Sequence, residues 1–322
     1  MDESITSTAH ATEPGLRHML YPYSGEQQYL SGTLAYIDHA HRVGGTVVVA
    51  APAQRRELLA AQLPGDAPVA FMDTAALGRN PGRLIPAWQD WIDRRSRDGR
   101  VHGVNESVWS GRTSGHLAEL GYQEWLLNLA FEHAPAWSLL CPYDTTGRPP
   151  AAVEALTRCH PLVWDGAADV PGPGYTAEPY ALEPLGEPPG PYEEMHYTLG
   201  DLTALRTKVS RLATEHRFAR DRVGDLLLAI SEIAGNSIRY GGGGGVLRVW
   251  TDGGELVCEL RDAGVITDPL LGRVRPSPSE LGGRGLWFAQ QVCDLVEIRS
   301  SSRDGTRVRL HMDLPAEARP AS

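Results

Sequence analysis

Glu232 and Asn236 stand four residues apart in Ser231-Glu-Ile-Ala-Gly-Asn-Ser-Ile-Arg-Tyr-Gly241. Val223, Leu226, Leu227, Ile230, Ile233 and Ala234 recur around them at helical spacing, so a carboxylate and an amide project from one helix face, one turn apart. The amide oxygen of Asn236 is a neutral hard donor suited to Mg²⁺, and Glu232 could accept a proton from an attacking hydroxyl or water. A solvated helix face would present the same pair, so later segments must decide between the two readings. Leu256-Val-Cys-Glu-Leu-Arg-Asp262 alternates as a strand and runs into Asp262-Ala-Gly264, a carboxylate followed by a flexible glycine. Farther on, Leu281-Gly-Gly-Arg-Gly-Leu-Trp287 sets glycines ahead of an apolar helical run from Leu286 to Val292. Such a turn lets backbone N–H groups approach phosphate at a helix N-terminus.

A helix with Glu and Asn, then Asp-x-Gly at a strand end, then Gly-x-Gly before a helix, resembles the Bergerat ATP-binding fold of the histidine-kinase-like ATPases. Within that superfamily, residues 195 to 315 are similar to the RsbW-type anti-sigma serine kinases. The resemblance implies an α+β sandwich using ATP and Mg²⁺, with Asn236 holding the metal and Glu232 acting as general base. It places Asp262 on the adenine amino group, Gly264 beside the base, and Gly283, Arg284 and Gly285 around the phosphates. Thr306, in Gly305-Thr-Arg-Val-Arg-Leu310, is implied on the strand lining the adenine pocket. The implied partners are an alternative sigma factor and a STAS-type anti-anti-sigma protein, with the chain itself a homodimer. Two departures are visible: Ile266 stands where histidine kinases commonly carry a second glycine, and the lid between Gly264 and Gly282 is short.

The 322 residues, 42% hydrophobic with formal net charge −10, suit two domains that each bury a core. No run of eighteen apolar residues occurs and Met1-Asp-Glu-Ser-Ile-Thr-Ser-Thr lacks an export signal, so a cytoplasmic protein without membrane insertion is expected. An acidic chain without a basic stripe argues against direct nucleic-acid binding. Cys141, Cys159, Cys258 and Cys293 lie far apart with no C-x-x-C pair, which points to buried free thiols and away from zinc or disulfides.

Residues 1 to 15 are small and polar and are expected to be disordered, and residues 316 to 322 form a short tail. Thr46-Val-Val-Val-Ala-Ala51, Val69-Ala-Phe-Met72, Val101-His-Gly-Val104 and Ser138-Leu-Leu-Cys141 read as strands. Helices are expected over 30–41, 55–63, 81–95 and 115–132, so alternation predicts an α/β doubly wound domain over 16–164. Leu20-Tyr-Pro-Tyr-Ser-Gly-Glu26, Gly78-Arg-Asn-Pro81, Glu106-Ser-Val-Trp109, Glu124-x-x-Leu-Asn128 and Leu140-Cys-Pro-Tyr-Asp144 give this half a resemblance to the MEDS sensory domain. That resemblance implies a relative of the RecA/KaiC-type ATPases. The turn Ala50-Ala-Pro-Ala-Gln54 has no P-loop lysine, so ATP hydrolysis is not expected there. Glu106 and Asp144 each follow a predicted strand, where α/β sheets bind ligands, and are the candidates for a sensory pocket. Trp88, Trp91, Trp109, Trp125 and Trp137 are expected in the core. Residues 165 to 194, rich in Pro and Gly, should form an extended spacer.

Three functions fit these readings. The first is an anti-sigma factor with serine/threonine kinase activity toward an anti-anti-sigma antagonist, governed by the sensory half. The second is a nucleotide-binding switch without transfer. The third is a sensor histidine kinase, disfavoured because His196 and His216 lie in no long two-helix dimerisation segment.

Overall fold

The computed structural model describes residues 14–77, 80–95, 99–106, 113–147, 150–276 and 283–318. The expected disorder before residue 14, Trp109, the central lid residues and the last four residues of the tail lie outside that set. Its strands are β1 (Leu16–Tyr23), β2 (Thr46–Ala51), β3 (Val69–Asp73), β4 (Val101–Asn105), β5 (Trp137–Asp144), β6 (Leu162–Trp164), β7 (Asp169–Pro171), β8 (Glu193–Thr198), β9 (Gly244–Asp252), β10 (Glu255–Asp262), β11 (Leu295–Ser301) and β12 (Gly305–Asp313). Its α-helices are α1 (Glu26–Arg42), α2 (Ala53–Ala60), α3 (Thr74–Leu77), α4 (Leu84–Arg95), α5 (Ser114–Ala130), α6 (Pro150–Thr157), α7 (Leu202–Glu215), α8 (Arg220–Tyr240) and α9 (Arg284–Val292).

Contacts divide the chain into two units, the first comprising residues 1–72, 91–108 and 127–177 and the second residues 73–90, 109–126 and 178–322. In the first, apolar runs such as Thr46–Ala51 are buried on both faces, as a parallel sheet requires. Strands order as β3-β2-β4-β5-β1-β6-β7. Parallel pairing joins β2 to β4, β4 to β5, β5 to β1 and β1 to β6, and β7 closes the edge antiparallel to β6. The edge pair β6 and β7, unmarked by any strong apolar alternation, carries the sheet to Pro171, beyond the predicted domain end at 164. The domain is α/β as expected, with Trp137 buried among its strands.

The second unit is built on an antiparallel sheet ordered β11-β12-β10-β9-β8. Leu256, Cys258 and Leu260 alternate along β10 toward a core shared with Leu226, Ile230 and Ile233 of α8 and Leu286 of α9. This is the expected helix-on-sheet layering. Two stretches within the first half of the sequence, 73–90 and 109–126, cluster with this unit. Trp88 is buried there. Asn80 Nδ2 donates to the Gln290 carbonyl at 3.0 Å and Arg83 Nη2 to the Cys293 carbonyl at 2.9 Å, satisfying carbonyls at the C-terminal end of α9 and setting a cation against its dipole.

The other face of this sheet is polar and still buried. Glu259 is wholly inaccessible and accepts from Arg261, from Arg307 at 2.9 Å and from Arg309 at 2.6 Å. The Pro-rich stretch has no helix or strand between β7 and β8, and over 183–187 it is not a free tether. Arg299 donates to the Glu183 carbonyl at 2.8 Å and Arg307 to that of Leu185 at 2.7 Å, while the Glu187 carboxylate accepts from Arg248 at 2.6 Å and Arg261 at 3.0 Å. Composition alone reads this segment as a linker because the arginines that hold it are supplied by strands far along the chain.

Candidate functional site

Glu232 and Asn236 lie on α8, one turn apart, with Glu232 exposed and Asn236 half-buried. The buried stripe of Leu226, Ala229, Ile230, Ile233, Ala234 and Ser237 fixes the helix rotation and hence this face. Gly283 takes a left-handed φ of 81° as the N-cap of α9, a conformation that glycine adopts without penalty. The next glycine has a different role. A Cβ on Gly285 would stand 2.7 Å from Glu232 Oε2, 2.9 Å from Glu232 Cβ and 3.4 Å from Asn236 Nδ2. The first turn of α9 therefore lies directly against the Glu–Asn pair, 53 residues away in sequence from Glu232 (285 − 232). Arg284 is exposed beside it.

Asp262 ends β10 and is held by neutral donors. Ser237 Oγ donates to its Oδ2 at 2.6 Å, and the Gly264 backbone N–H to its Oδ1 at 2.8 Å. Each carboxylate oxygen keeps a further lone pair for a ligand donor, and no cation is spent on the group by these two bonds. Two glycines let backbone pack close to Asp262: a Cβ on Gly241 would meet Asp262 Cγ at 2.4 Å, and one on Gly305 would meet the Asp262 carbonyl oxygen at 2.1 Å. Thr306 Oγ1 donates to the Gly264 carbonyl at 2.8 Å and bonds Ser300 Oγ at 2.8 Å, and Ser300 Oγ accepts from the Ile266 N–H at 2.8 Å. The sequence reading missed Ser237 and Ser300, since a serine in an amphipathic pattern carries no signal of its distant partner.

The structure thus joins Glu232, Asn236 and Gly285 at one end and Asp262, Gly264 and Thr306 at the other. The ends open into different clefts. One of about 830 Å³ is lined by Asp262, Ala263 and the Gly241–Gly245 run, and one of about 430 Å³ by Glu232, Arg284, Trp287 and Phe288. The stretch after Gly264 is anchored by a charge that sequence could not reveal. Arg273 is 2% exposed and donates to Glu119 Oε2 of α5 at 2.7 Å, while Arg299 donates to Glu119 Oε1 at 2.7 Å.

In the first unit Glu106 and Asp144 sit at the C-terminal ends of the neighbouring strands β4 and β5. Glu106 Oε1 accepts from Arg55 Nε at 3.2 Å and from Tyr23 Oη at 3.4 Å, and the Arg55 guanidinium lies 4.5 Å from the centre of the Tyr29 ring. Burial pushes the Glu106 carboxyl up, with Arg55 opposing the shift. Asp144 stands in register with Tyr23 and caps its own turn, accepting from the Thr146 N–H at 2.9 Å. Arg55 and Tyr29 were not singled out by sequence, and Tyr23 entered only within the stretch Leu20 to Glu26, because neither a lone arginine nor a tyrosine signals a distant carboxylate partner.

Residues 17–161 match the model of the MEthanogen/methylotroph, DcmR Sensory domain, MEDS, and residues 195–312 match that of the Histidine kinase-like ATPase domain. No curated protein matches the chain. Among solved structures, the RsbU and RsbW domains of Rv1364c from Mycobacterium tuberculosis align at 20% identity and TM-score 0.30 over 41% of this chain, which spans 34% of that one. Among the described residues no helix is long and apolar enough to cross a membrane.

Proposed function

With a MEDS domain followed by a histidine kinase-like ATPase domain as premise, we propose that this protein is an ATP-dependent serine/threonine kinase that also sequesters an alternative sigma factor, controlled by its sensory half. The observation that carries the reading is the close approach of Gly285 to Glu232 and Asn236, which sets a phosphate-type turn against a carboxylate and an amide. Asp262, oriented by Ser237 and Gly264, accepts from the adenine amino group. The N–H groups at the start of α9 face the phosphates with the positive end of the helix dipole. Glu232 takes the proton from a serine or threonine hydroxyl of the antagonist as its oxygen bonds to the γ-phosphorus and ADP departs. Half-buried Asn236, one helical turn from the Glu232 carboxylate, offers a hard amide oxygen of the kind that fits Mg²⁺, which when bound would offset charge on the phosphates.

His196 lies on β8 and His216 caps α7, so neither occupies the helix pair that a phosphoacceptor histidine would need. The switch reading draws on the two separate clefts at Asp262 and Glu232, an arrangement that permits binding without transfer.

Incubating the full chain with γ-labelled ATP and proteins it captures from its native cell tests the proposal. Acid-stable serine or threonine phosphate on a partner is expected, and Glu232→Gln should lower transfer by roughly 10²–10⁴-fold with ATP still bound. Equal transfer by wild type and Glu232→Gln would remove Glu232 as the base. ATP binding with no transfer to any captured protein would support the switch.

A further inference from the structure

His18 of β1, Cys141 of β5 and His160, which follows α6, converge inside the first unit. His18 and Cys141 lie on paired parallel strands two residues out of register, since His18 aligns with Leu139 and Leu20 with Cys141. His18 and His160 are almost wholly buried, and Cys141 is 5% exposed. The imidazole, imidazole and thiol donor atoms all fall within 4.8 Å of one another. His18 Nε2 is 3.3 Å from Cys141 Sγ, and the two imidazole centroids are 4.1 Å apart.

The surrounding hydrogen bonds fix which nitrogen of each ring faces inward. Asn128 Nδ2 donates to the Cys159 carbonyl at 2.8 Å, so its Oδ1 is the atom facing His18 Nδ1 at 3.1 Å and accepts from that nitrogen. His160 Nδ1 lies 2.7 Å from the Leu156 carbonyl, which can only accept. Both rings therefore carry the proton on Nδ1 and, when neutral, a lone pair on Nε2. Metal-binding imidazoles are oriented by this arrangement, with the second nitrogen donating to an amide or carbonyl oxygen. Zn–N bonds of about 2.0–2.1 Å and a Zn–S bond of about 2.3 Å at a tetrahedral angle place N and S about 3.5 Å apart, close to the separation found here.

We propose that His18 Nε2, Cys141 Sγ and His160 Nε2 bind a zinc ion inside the sensory domain. Two imidazoles and a thiolate form a borderline-soft set suited to Zn²⁺ rather than Mg²⁺ or Ca²⁺. Binding forms a Zn–S bond and releases the thiol proton to solvent, so affinity rises with pH. Buried Glu124 precedes Asn128 by one turn of α5. Residue spacing gave no sign of the site because its ligands come from three separate segments, with no C-x-x-C or H-x₃-H pair to mark them.

The test is titration of the full-length, chelator-treated and reduced chain with Co²⁺, then Zn²⁺. A single equivalent of Co²⁺ should give thiolate-to-cobalt charge-transfer absorption in the near ultraviolet, and Zn²⁺ should displace it. Cys141→Ser should abolish the absorption, whereas Cys159→Ser should keep it. Asn128→Ala, which touches no metal, should weaken Zn²⁺ by roughly 10–100-fold through loss of ring orientation. Circular dichroism confirms that each variant is folded. If Cys141→Ser fails to fold, His18→Gln and Asn128→Ala on the folded chain decide. No charge-transfer band in the folded wild type overturns the proposal, as does a band that survives Cys141→Ser or unaltered affinity in both His18→Gln and Asn128→Ala.

Discussion

Two sets of carboxylates in the ATPase unit are handled in opposite ways. On the outer face of its sheet, Glu259 is matched with Arg261, Arg307 and Arg309, and Glu119 with Arg273 and Arg299, so that buried charge meets buried charge. At the candidate site Asp262 accepts only from a hydroxyl and a backbone N–H in the bonds that position it, and Glu232 remains exposed. Guanidinium pairing consumes a carboxylate for architecture. Orientation by neutral donors holds a carboxylate in place and leaves its charge and spare lone pairs for a ligand. On the proposed function, the contrast separates acids paired for architecture from the acids assigned to the nucleotide site, Asp262 and Glu232.

The most damaging way to test the contrast is Glu119→Ala. It strands the buried Arg273 guanidinium, and breaking one partner of a buried pair costs about 3–5 kcal/mol. Urea unfolding of the full chain measures this, and a loss below about 1 kcal/mol would move Glu119 out of the structural class. Gly285→Ala is next. The added methyl would stand 2.7 Å from Glu232 Oε2, and overpacking of this kind costs about 1–3 kcal/mol. ATP affinity and stability should fall together in this variant; unchanged values in both would show that α9 and α8 part easily at this point.

Asp262→Asn retains shape and removes charge, so calorimetry should show ATP binding weakened by about 1–3 kcal/mol while the melting temperature moves little. A large stability loss with unaltered ATP affinity would place Asp262 among the structural acids. The gentlest probe is pH. His311 sits between Glu255 at 2.8 Å and Glu297 at 3.0 Å, and although burial alone would lower it, bonds to the two carboxylates raise its pKa to about 9. The native state then holds a proton that the unfolded chain has released above its ordinary value near 6.5, so this stabilisation is complete below about pH 6.5 and fades toward pH 9. His311→Gln should flatten that decline in a stability profile, and an equally steep decline in the variant would assign it to other groups.

The sequence by itself determined whatever is local. Helical periodicity fixed the Glu232–Asn236 face, alternation fixed β10 and placed Asp262 at its end, and the glycine pattern marked the start of α9, each set by side-chain direction within one element. The four cysteines were read as buried thiols outside any disulfide, and each is buried and outside a disulfide. Tertiary structure alone decided which distant residues meet. Strand pairing brought His18 to Cys141, and close packing put Gly285 against Glu232. Arginines on β9 to β12 turned an apparent tether into a segment bound at 183–187, and Glu119 came to a partner 154 residues away. No residue type announces such meetings, because register and helix crossing depend on the summed shape of a whole core, whereas sequence pattern reports only the faces each element offers to it.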